Sequence, residues 1–355
     1  MTTAAAPFPP SVLDPTPIFE HFRGSYGTEL LTAAVAHFDL FSHLAAAPMS
    51  LEALRGAIGL HARGATVLVT ALRAMGLVGG SWPDRLELTP LARGHLVKGT
   101  PHYVGDYLGL AAQSPGVVEM ARLLKANAAK VEKTAGGADA SMFTFRDGVE
   151  SAMDDAAAAR KLTLALAGRA KIVAPALATN LPLAGTKVLL DAGGGTGIYS
   201  LALVAANPGL RAVVWDRAEV LKVAREFAEA AGLLDRVELR PGDMFADPVP
   251  AGCDAVLLSN ILHDWDVPEC DRLVGRLAAA LPAGGRLVVH DVFLNDAMDG
   301  PLAITHYSAA LFTQTEGRAY SGAEYRRMMT TAGLEPAATI VPTAVHCGAL
   351  VGTKR

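Results

Sequence analysis

The stretch "DAGGGTG", Asp191 to Gly197, places four glycines in five positions directly behind an aliphatic run, with a carboxylate ahead of them. Glycines at that density allow a sharp turn and remove every Cβ that would hold a ligand off the backbone. The acidic residue discriminates between ligand classes. A pyrophosphate calls for bare N–H groups at a helix N-terminus, and Asp191 repels it; the dinucleotide spacing also asks for glycine or alanine at 198, where this chain has Ile198. A nucleoside carrying positive charge and no phosphate suits the turn, because an anionic Asp191 attracts it directly or through water. S-adenosylmethionine, with its sulfonium and ammonium, is such a ligand, and Gly193 and Gly195 are the closest-approach positions for it. Asp216, closing "RAVVWD", is placed to accept from both ribose hydroxyls, a strand-end turn residue being the plainer reading. In "GDMF", Asp243 is placed to accept from the adenine amino group, with Met244 and Phe245 against the ring; a buried core methionine is the alternative for Met244. "SNILHDW" then supplies His263 and Asp264, an imidazole that exchanges a proton near neutrality and a carboxylate beside it.

These groups need a scaffold that gathers loop ends. From Thr186 onward, strand-like runs ("KVLLDAG", "RAVVWD", "RVELRPGD", "CDAVLLSN", "GRLVVHDV") alternate with helical ones such as "AEVLKVAREFAEAAG". That alternation with short connections predicts a mostly parallel sheet covered on both faces, and "EPAATIVPT" with "HCGALVGTKR" predicts an antiparallel hairpin at its edge. In such sheets ligands lie beyond the carboxyl ends of the strands, where all four motifs fall. Asp266, followed by Pro268 and Glu269, reads as a helix N-cap. Upstream, residues 28–98 read as helices, with Ser50 as an N-cap, followed by a hairpin around Gly79, Gly80 and Pro83, the pattern of a winged helix. The divisions expected are a flexible N-terminus (1–20), a winged-helix-like dimerisation domain (21–100), a helical connector and cleft wall (101–180) and a cofactor-binding catalytic domain (181–355).

Composition excludes several classes. Residues 1–100 carry seven Lys or Arg against seven Asp or Glu, which is wrong for a phosphate-neutralising surface, and the net charge of the chain is −4. Nucleic acid is therefore not expected as a partner, and the apolar N-terminal helices point instead to a second copy of the chain. Three scattered cysteines give neither a disulfide framework nor a Cys-x-x-Cys metal site. The absence of a basic, apolar leader and of ~18 uninterrupted apolar residues points away from membranes and toward the cytoplasm.

"DAGGGTG", "GDMF" and "SNILHDW", in this order behind a helical N-terminal region, resemble the plant-type O-methyltransferases and their bacterial small-molecule relatives, over nearly the whole chain. The resemblance implies a Rossmann-like class I methyltransferase domain, a seven-stranded mostly parallel α/β sheet, behind a winged-helix-like dimerisation domain. It further implies a homodimer, S-adenosylmethionine as cofactor, no metal, and methyl transfer to a hydroxyl of a small, aromatic or polyketide-like molecule. His263 takes the place of the family's general base, and Asp264 that of a carboxylate beside it, which by bonding one ring nitrogen would fix the tautomer. Ser259 stands where many plant enzymes have a lysine near the adenine edge. Substrate contacts are implied at Phe143, Met153, His306 and Phe312, with a plain core role as the alternative for Met153. One departure concerns the base: Ala319 occupies the place of a second histidine-orienting glutamate, with Glu316 three residues early. Carbon methylation on the same fold, and a non-catalytic winged-helix regulator that senses S-adenosylmethionine, are the alternatives.

Overall fold

The computed structural model describes residues 6–126 and 155–355. The chain divides into a helical unit, Pro17–Ser141 with Leu294–Ser321, and a sheet unit composed of Met1–Thr16, Met142–Phe293 and Gly322–Arg355.

The helical unit begins with α1 (Thr16–Phe22), α2 (Ser25–Thr32), α3 (Leu40–Ala46), α4 (Leu51–Ile58) and α5 (Ala62–Ala74). Ser50 caps α4 as its sequence position predicts, accepting from Ala53 N–H at 3.1 Å. An antiparallel hairpin follows, β1 (Val78–Ser81) with β2 (Arg85–Leu88), and then α6 (Pro90–His95), α7 (Gly105–Gly109) and α8 (Pro115–Lys125). The apolar faces of these helices close a core around Leu30, Phe41, Leu44, Leu68 and Leu72. By contrast α1 buries nothing, leaving Ile18 70% and Phe22 82% exposed.

The sheet unit opens with α9 (Ala156–Asn180), capped by Asp155, which accepts from Ala158 N–H at 2.8 Å. By length and composition α9 could cross a membrane, yet its Leu162, Val173 and Leu177 are buried as a core-facing stripe. Next come β3 (Val188–Ala192), α10 (Ile198–Ala206), β4 (Arg211–Asp216), α11 (Ala218–Ala230), β5 (Val237–Pro241), β6 (Ala255–Ser259), α12 (Val267–Ala280) and β7 (Arg286–Leu294). After α13 (Leu302–Gln314) and the two-residue β8 (Tyr320–Ser321), which fall in the helical unit, the chain returns as α14 (Gly322–Thr331), β9 (Leu334–Pro336), β10 (Val341–Pro342) and β11 (Cys347–Lys354). The strand order is β10-β11-β7-β6-β3-β4-β5, parallel from β7 to β5, with β11 antiparallel to β7 and paired to β10 and β9. This is the mostly parallel sheet with an antiparallel edge that the sequence implies. Order runs outward from β3 in one direction and from β6 in the other, so the switch point lies between these two strands, and the loops after both meet there. Apart from Asp191 and Ser259 near their ends, both strands are aliphatic, and both are almost wholly buried, as strands covered on two faces must be.

The division differs from the sequence boundaries in two places. Helix α9 goes with the sheet rather than with a separate connector, and residues 294–321 go with the helical unit rather than with the catalytic domain. Two buried arginines on α5 explain the second: Arg63 donates from Nη1 to the carbonyls of Thr315 (2.9 Å) and Gly317 (2.7 Å), and Arg73 from Nε to that of Met298 (3.1 Å). Ala309 and Phe312 of α13 complete the helical core.

Candidate active site

The glycine turn follows β3. Gly193, Gly195 and Gly197 have φ of +69°, +58° and +69°, the left-handed region that favours glycine. At Gly193 a Cβ would also lie 2.6 Å from Ile261 Cδ1, whereas at Gly195 it would meet nothing within 4 Å. The loop is thus closed on one side by the β6 loop and open at Gly195. Gly195 N–H donates to Asp216 Oδ2 at 2.8 Å and Arg217 N–H to Asp216 Oδ1 at 2.7 Å, which fixes the half-buried carboxylate at the end of β4. Each oxygen keeps a second lone pair for a ribose hydroxyl.

Asp191 lies beneath the turn, 1% exposed, with Oδ2 accepting from Ser200 Oγ at 2.6 Å. Its Oδ1 is buried without a hydrogen-bond partner among the described residues. Burial pushes this carboxyl up to about 7, with Ser200 pulling the other way and Asp216 adding to the rise. A buried, unsatisfied acceptor under an open glycine loop is the setting that a cationic ligand relieves, so these residues fit S-adenosylmethionine. Asp191, Gly193, Gly195 and Asp216 would hold it.

The other residues that the sequence assigns to the cofactor are more engaged with the protein than that reading implies. Asp243 pairs with Arg217 Nη1 at 3.0 Å through Oδ2 and accepts from Phe245 N–H at 2.8 Å through Oδ1. Met244 Sδ lies 3.7 Å from where a Gly193 Cβ would sit, so the thioether does flank the loop. The Phe245 ring is edge-on to Trp265 at 4.6 Å, with the Arg272 guanidinium 4.9 Å over it. Ser259 Oγ meets His290 Nδ1 at 2.8 Å, and His290 Nε2 meets Thr343 Oγ1 at 3.1 Å. Burial, reinforced by Arg169, pulls His290 down to about 3, so it stays neutral and bridges the two hydroxyls.

His263 sits on a single 3-10 turn (Leu262–Asp264) after β6, and Asp266 caps α12 immediately behind it, accepting from Val267 N–H at 2.8 Å. The imidazole is 4% exposed. Its Nδ1 is 2.6 Å from Asp291 Oδ1, while Nε2 is 3.6 Å from Asp264 Oδ1, beyond hydrogen-bond range. The carboxylate that fixes the ring is therefore Asp291 and not Asp264, which corrects the expectation for Asp264. The reason is topological: Asp291 sits on the neighbouring strand β7 and reaches across to the ring, whereas Asp264, on the same short turn, can only stand beside the far nitrogen. Asp291 carries two further donors, Val292 N–H to Oδ1 at 2.7 Å and Tyr325 Oη–H to Oδ2 at 3.1 Å. With Nδ1–H donated to Asp291, the lone pair of a neutral His263 lies on Nε2, on the side of Asp264. Burial alone would lower the histidine's pKa; Asp291 and then Asp264 outweigh it, and the net direction is upward. Burial likewise raises Asp264, to about 6. The available signal for Asp291 is the polar pair His290–Asp291 set between apolar neighbours in the strand "RLVVHDVFL".

Phe143 and Met153 lie outside the described residues. In the helical unit, His306 is half-buried, and its Nε2 would lie 2.8 Å from a Cβ on Gly27, so that glycine admits the ring; Nε2 has no hydrogen-bond partner among the described residues. Phe312 is fully buried in the helical core with the Arg63 guanidinium 4.7 Å over its ring. That placement runs against a substrate contact at Phe312, because the ring's surface is taken up by its own chain. Ala319, also fully buried, donates its N–H to Ser308 Oγ at 3.2 Å.

A family model for the O-methyltransferase domain matches residues 129–335. The 3-hydroxy-5-methyl-1-naphthoate 3-O-methyltransferase of Streptomyces sahachiroi is 32% identical over 94% of this chain and 93% of its own length. The tetracenomycin polyketide synthesis 8-O-methyl transferase of Streptomyces glaucescens is 30% identical over 91% and 92%. Among solved structures, an O-methyltransferase family 2 protein from Planctomyces limnophilus, in complex with apigenin, is 42% identical and superposes over 100% of both chains with a TM-score of 0.86. Human N-acetylserotonin methyltransferase in complex with SAM shares the fold at a TM-score of 0.59 and 21% identity, over 95% and 96% of the chains. The chain belongs to the O-methyltransferase family and is an enzyme that uses S-adenosylmethionine to methylate oxygen.

Proposed function

We propose that this enzyme methylates a hydroxyl of a small aromatic or polyketide-like molecule, with His263 Nε2 as general base. The observation that carries the reading is the 2.6 Å contact between His263 Nδ1 and the buried Asp291, which with Nδ1–H as donor makes Nε2 the basic nitrogen. Bound S-adenosylmethionine supplies an electrophilic methyl on a sulfonium. Nε2 accepts the hydroxyl proton as the oxygen becomes the nucleophile, and the imidazolium so formed is held between Asp291 at Nδ1 and Asp264 at 3.6 Å from Nε2. Asp216 orients the ribose, Asp191 faces the cationic end, and Asp243, Met244, Phe245 and Ser259 border the adenine. Acceptor contacts at Phe143, Met153 and His306 are those that the family resemblance implies. The relatives' names support the acceptor class, two of them acting on a hydroxynaphthoate and on a tetracenomycin polyketide.

The enzyme works as a homodimer through its N-terminal helices, in the cytoplasm. Supporting this, α1 buries none of its residues within its own chain, and Tyr107 and Leu110 around α7 are also highly exposed. Light scattering at micromolar concentration should give twice 36.9 kDa; a stable monomer contradicts the dimer. For the reaction, phenols, catechols and polyketide-like aromatics are screened with a labelled methyl donor and the products read by NMR. An O–CH₃ product supports the reading, and a ring C–CH₃ product transfers it to carbon methylation.

A further inference from the structure

Among the described residues Asp291 receives three hydrogen bonds, and one comes from a distant helix. Val292 N–H and His263 Nδ1 share Oδ1, while Oδ2 takes the hydroxyl of Tyr325 on α14 at 3.1 Å. Tyr325 is fully buried, and its ring is edge-on to Phe293 at 5.3 Å and 72°. A donor fixed in this way has two effects on the neighbour of its neighbour. It stops the carboxylate from turning about its Cβ–Cγ bond, which keeps an Oδ1 lone pair aimed at Nδ1. It also draws negative charge toward Oδ2, so the imidazole feels a weaker anion than a bare aspartate would supply.

We propose that Tyr325 is a positioning residue for methyl transfer, the outer member of a Tyr325–Asp291–His263 relay that sets the orientation and basicity of the base. The inference rests on the reading of His263 as that base. Among the described residues, the charged groups that shift the ring include Asp264 on its own turn, Asp291 from β7 and, opposing them, Arg169 from α9; Tyr325 from α14 reaches the ring through Asp291. Tyr325 also ties α14 to Asp291 without adding another anion beside the base.

The test needs no acceptor. In the full-length chain labelled with ¹⁵N-histidine, the His263 signals are assigned with His263→Gln, and the pKa and tautomer of His263 are followed by NMR titration. Replacing Tyr325 by Phe removes the donor at nearly constant volume, and the His263 pKa should rise by about half a unit or more as Asp291 regains its full charge. An unchanged or lowered value overturns the proposal, since a tyrosine that merely fills the core leaves the titration where it was. If Tyr325→Phe fails to fold, 3-fluorotyrosine at position 325, a stronger donor of nearly the same shape, carries the test with the opposite sign: a lowered pKa is expected, and no shift overturns the relay. The two readings fail separately. If the NMR pKa moves but the acid limb of the rate profile on a phenolic acceptor does not follow it, the relay stands and His263 is not the base.

Discussion

Replacing Asp291 by asparagine separates charge from geometry in the site. The amide oxygen can still accept from Val292 N–H and His263 Nδ1–H, so the ring keeps its orientation while the anion is lost. With the charges centred about 4 Å apart and an effective dielectric of about 20, the pair contributes about 4 kcal/mol to a full imidazolium. At a transition state with the proton roughly half transferred, about 2 kcal/mol of this is expressed, or roughly 30-fold in kcat. The sign of the pH effect also follows. In the wild type the carboxylates raise the His263 pKa against burial; in Asp291→Asn burial is opposed only by Asp264, and the pKa falls. The rate should therefore reach its plateau at lower pH than in the wild type, at a reduced height. Steady-state rates on a phenolic acceptor between pH 5 and 9, with calorimetric binding of S-adenosylhomocysteine as control, decide the matter. A loss below about threefold with an unmoved acid limb refutes the reasoning, and a large loss of cofactor affinity shows that Asp291 acts elsewhere.

Further expectations follow from the same geometry. Gly193→Ala forces a side chain into φ +69° and 2.6 Å from Ile261 Cδ1, so cofactor binding by calorimetry should be lost and the melting temperature should fall, corresponding to about 1–2 kcal/mol; wild-type affinity contradicts the loop's role. Asp216→Ala leaves Gly195 N–H and Arg217 N–H without their acceptor and should weaken S-adenosylhomocysteine by at least about tenfold. Phe312→Ala, a deletion in the helical core, should cost about 3–5 kcal/mol in denaturant unfolding while acceptor preference stays as it was; a changed preference with unchanged stability restores Phe312 to the acceptor site.

The parts of the site that were legible in the sequence are those built from neighbours along the chain. The glycine turn, the Ser50 and Asp266 caps and the strand-end Asp216 each depend on a backbone conformation that a few adjacent residues dictate, and each stands where its sequence position implies. Asp291 was not legible because its partners lie 28 and 34 residues away, on the turn after β6 and on α14, and only strand order brings them together. The burial of Phe312 in the helical core was not legible for a related reason. Helix α13 is apolar on most of its surface, with Ile304, Ala309 and Phe312 all buried, so periodicity does not say which face meets its own core. The pairing of residues 294–321 with the helical unit likewise depends on Arg63 and Arg73, whose carbonyl partners on that segment are more than two hundred residues away.

If Nε2 of His263 removes the hydroxyl proton as the methyl is transferred, the turnover of His263→Ala on a phenol should fall ~10²–10⁴-fold near neutrality with unchanged S-adenosylhomocysteine affinity. The loss should shrink as the pH approaches the phenol's own pKa, where the acceptor no longer needs a base. A variant that keeps most of its turnover at neutral pH, or a deficit that is the same at every pH, contradicts that role for Nε2.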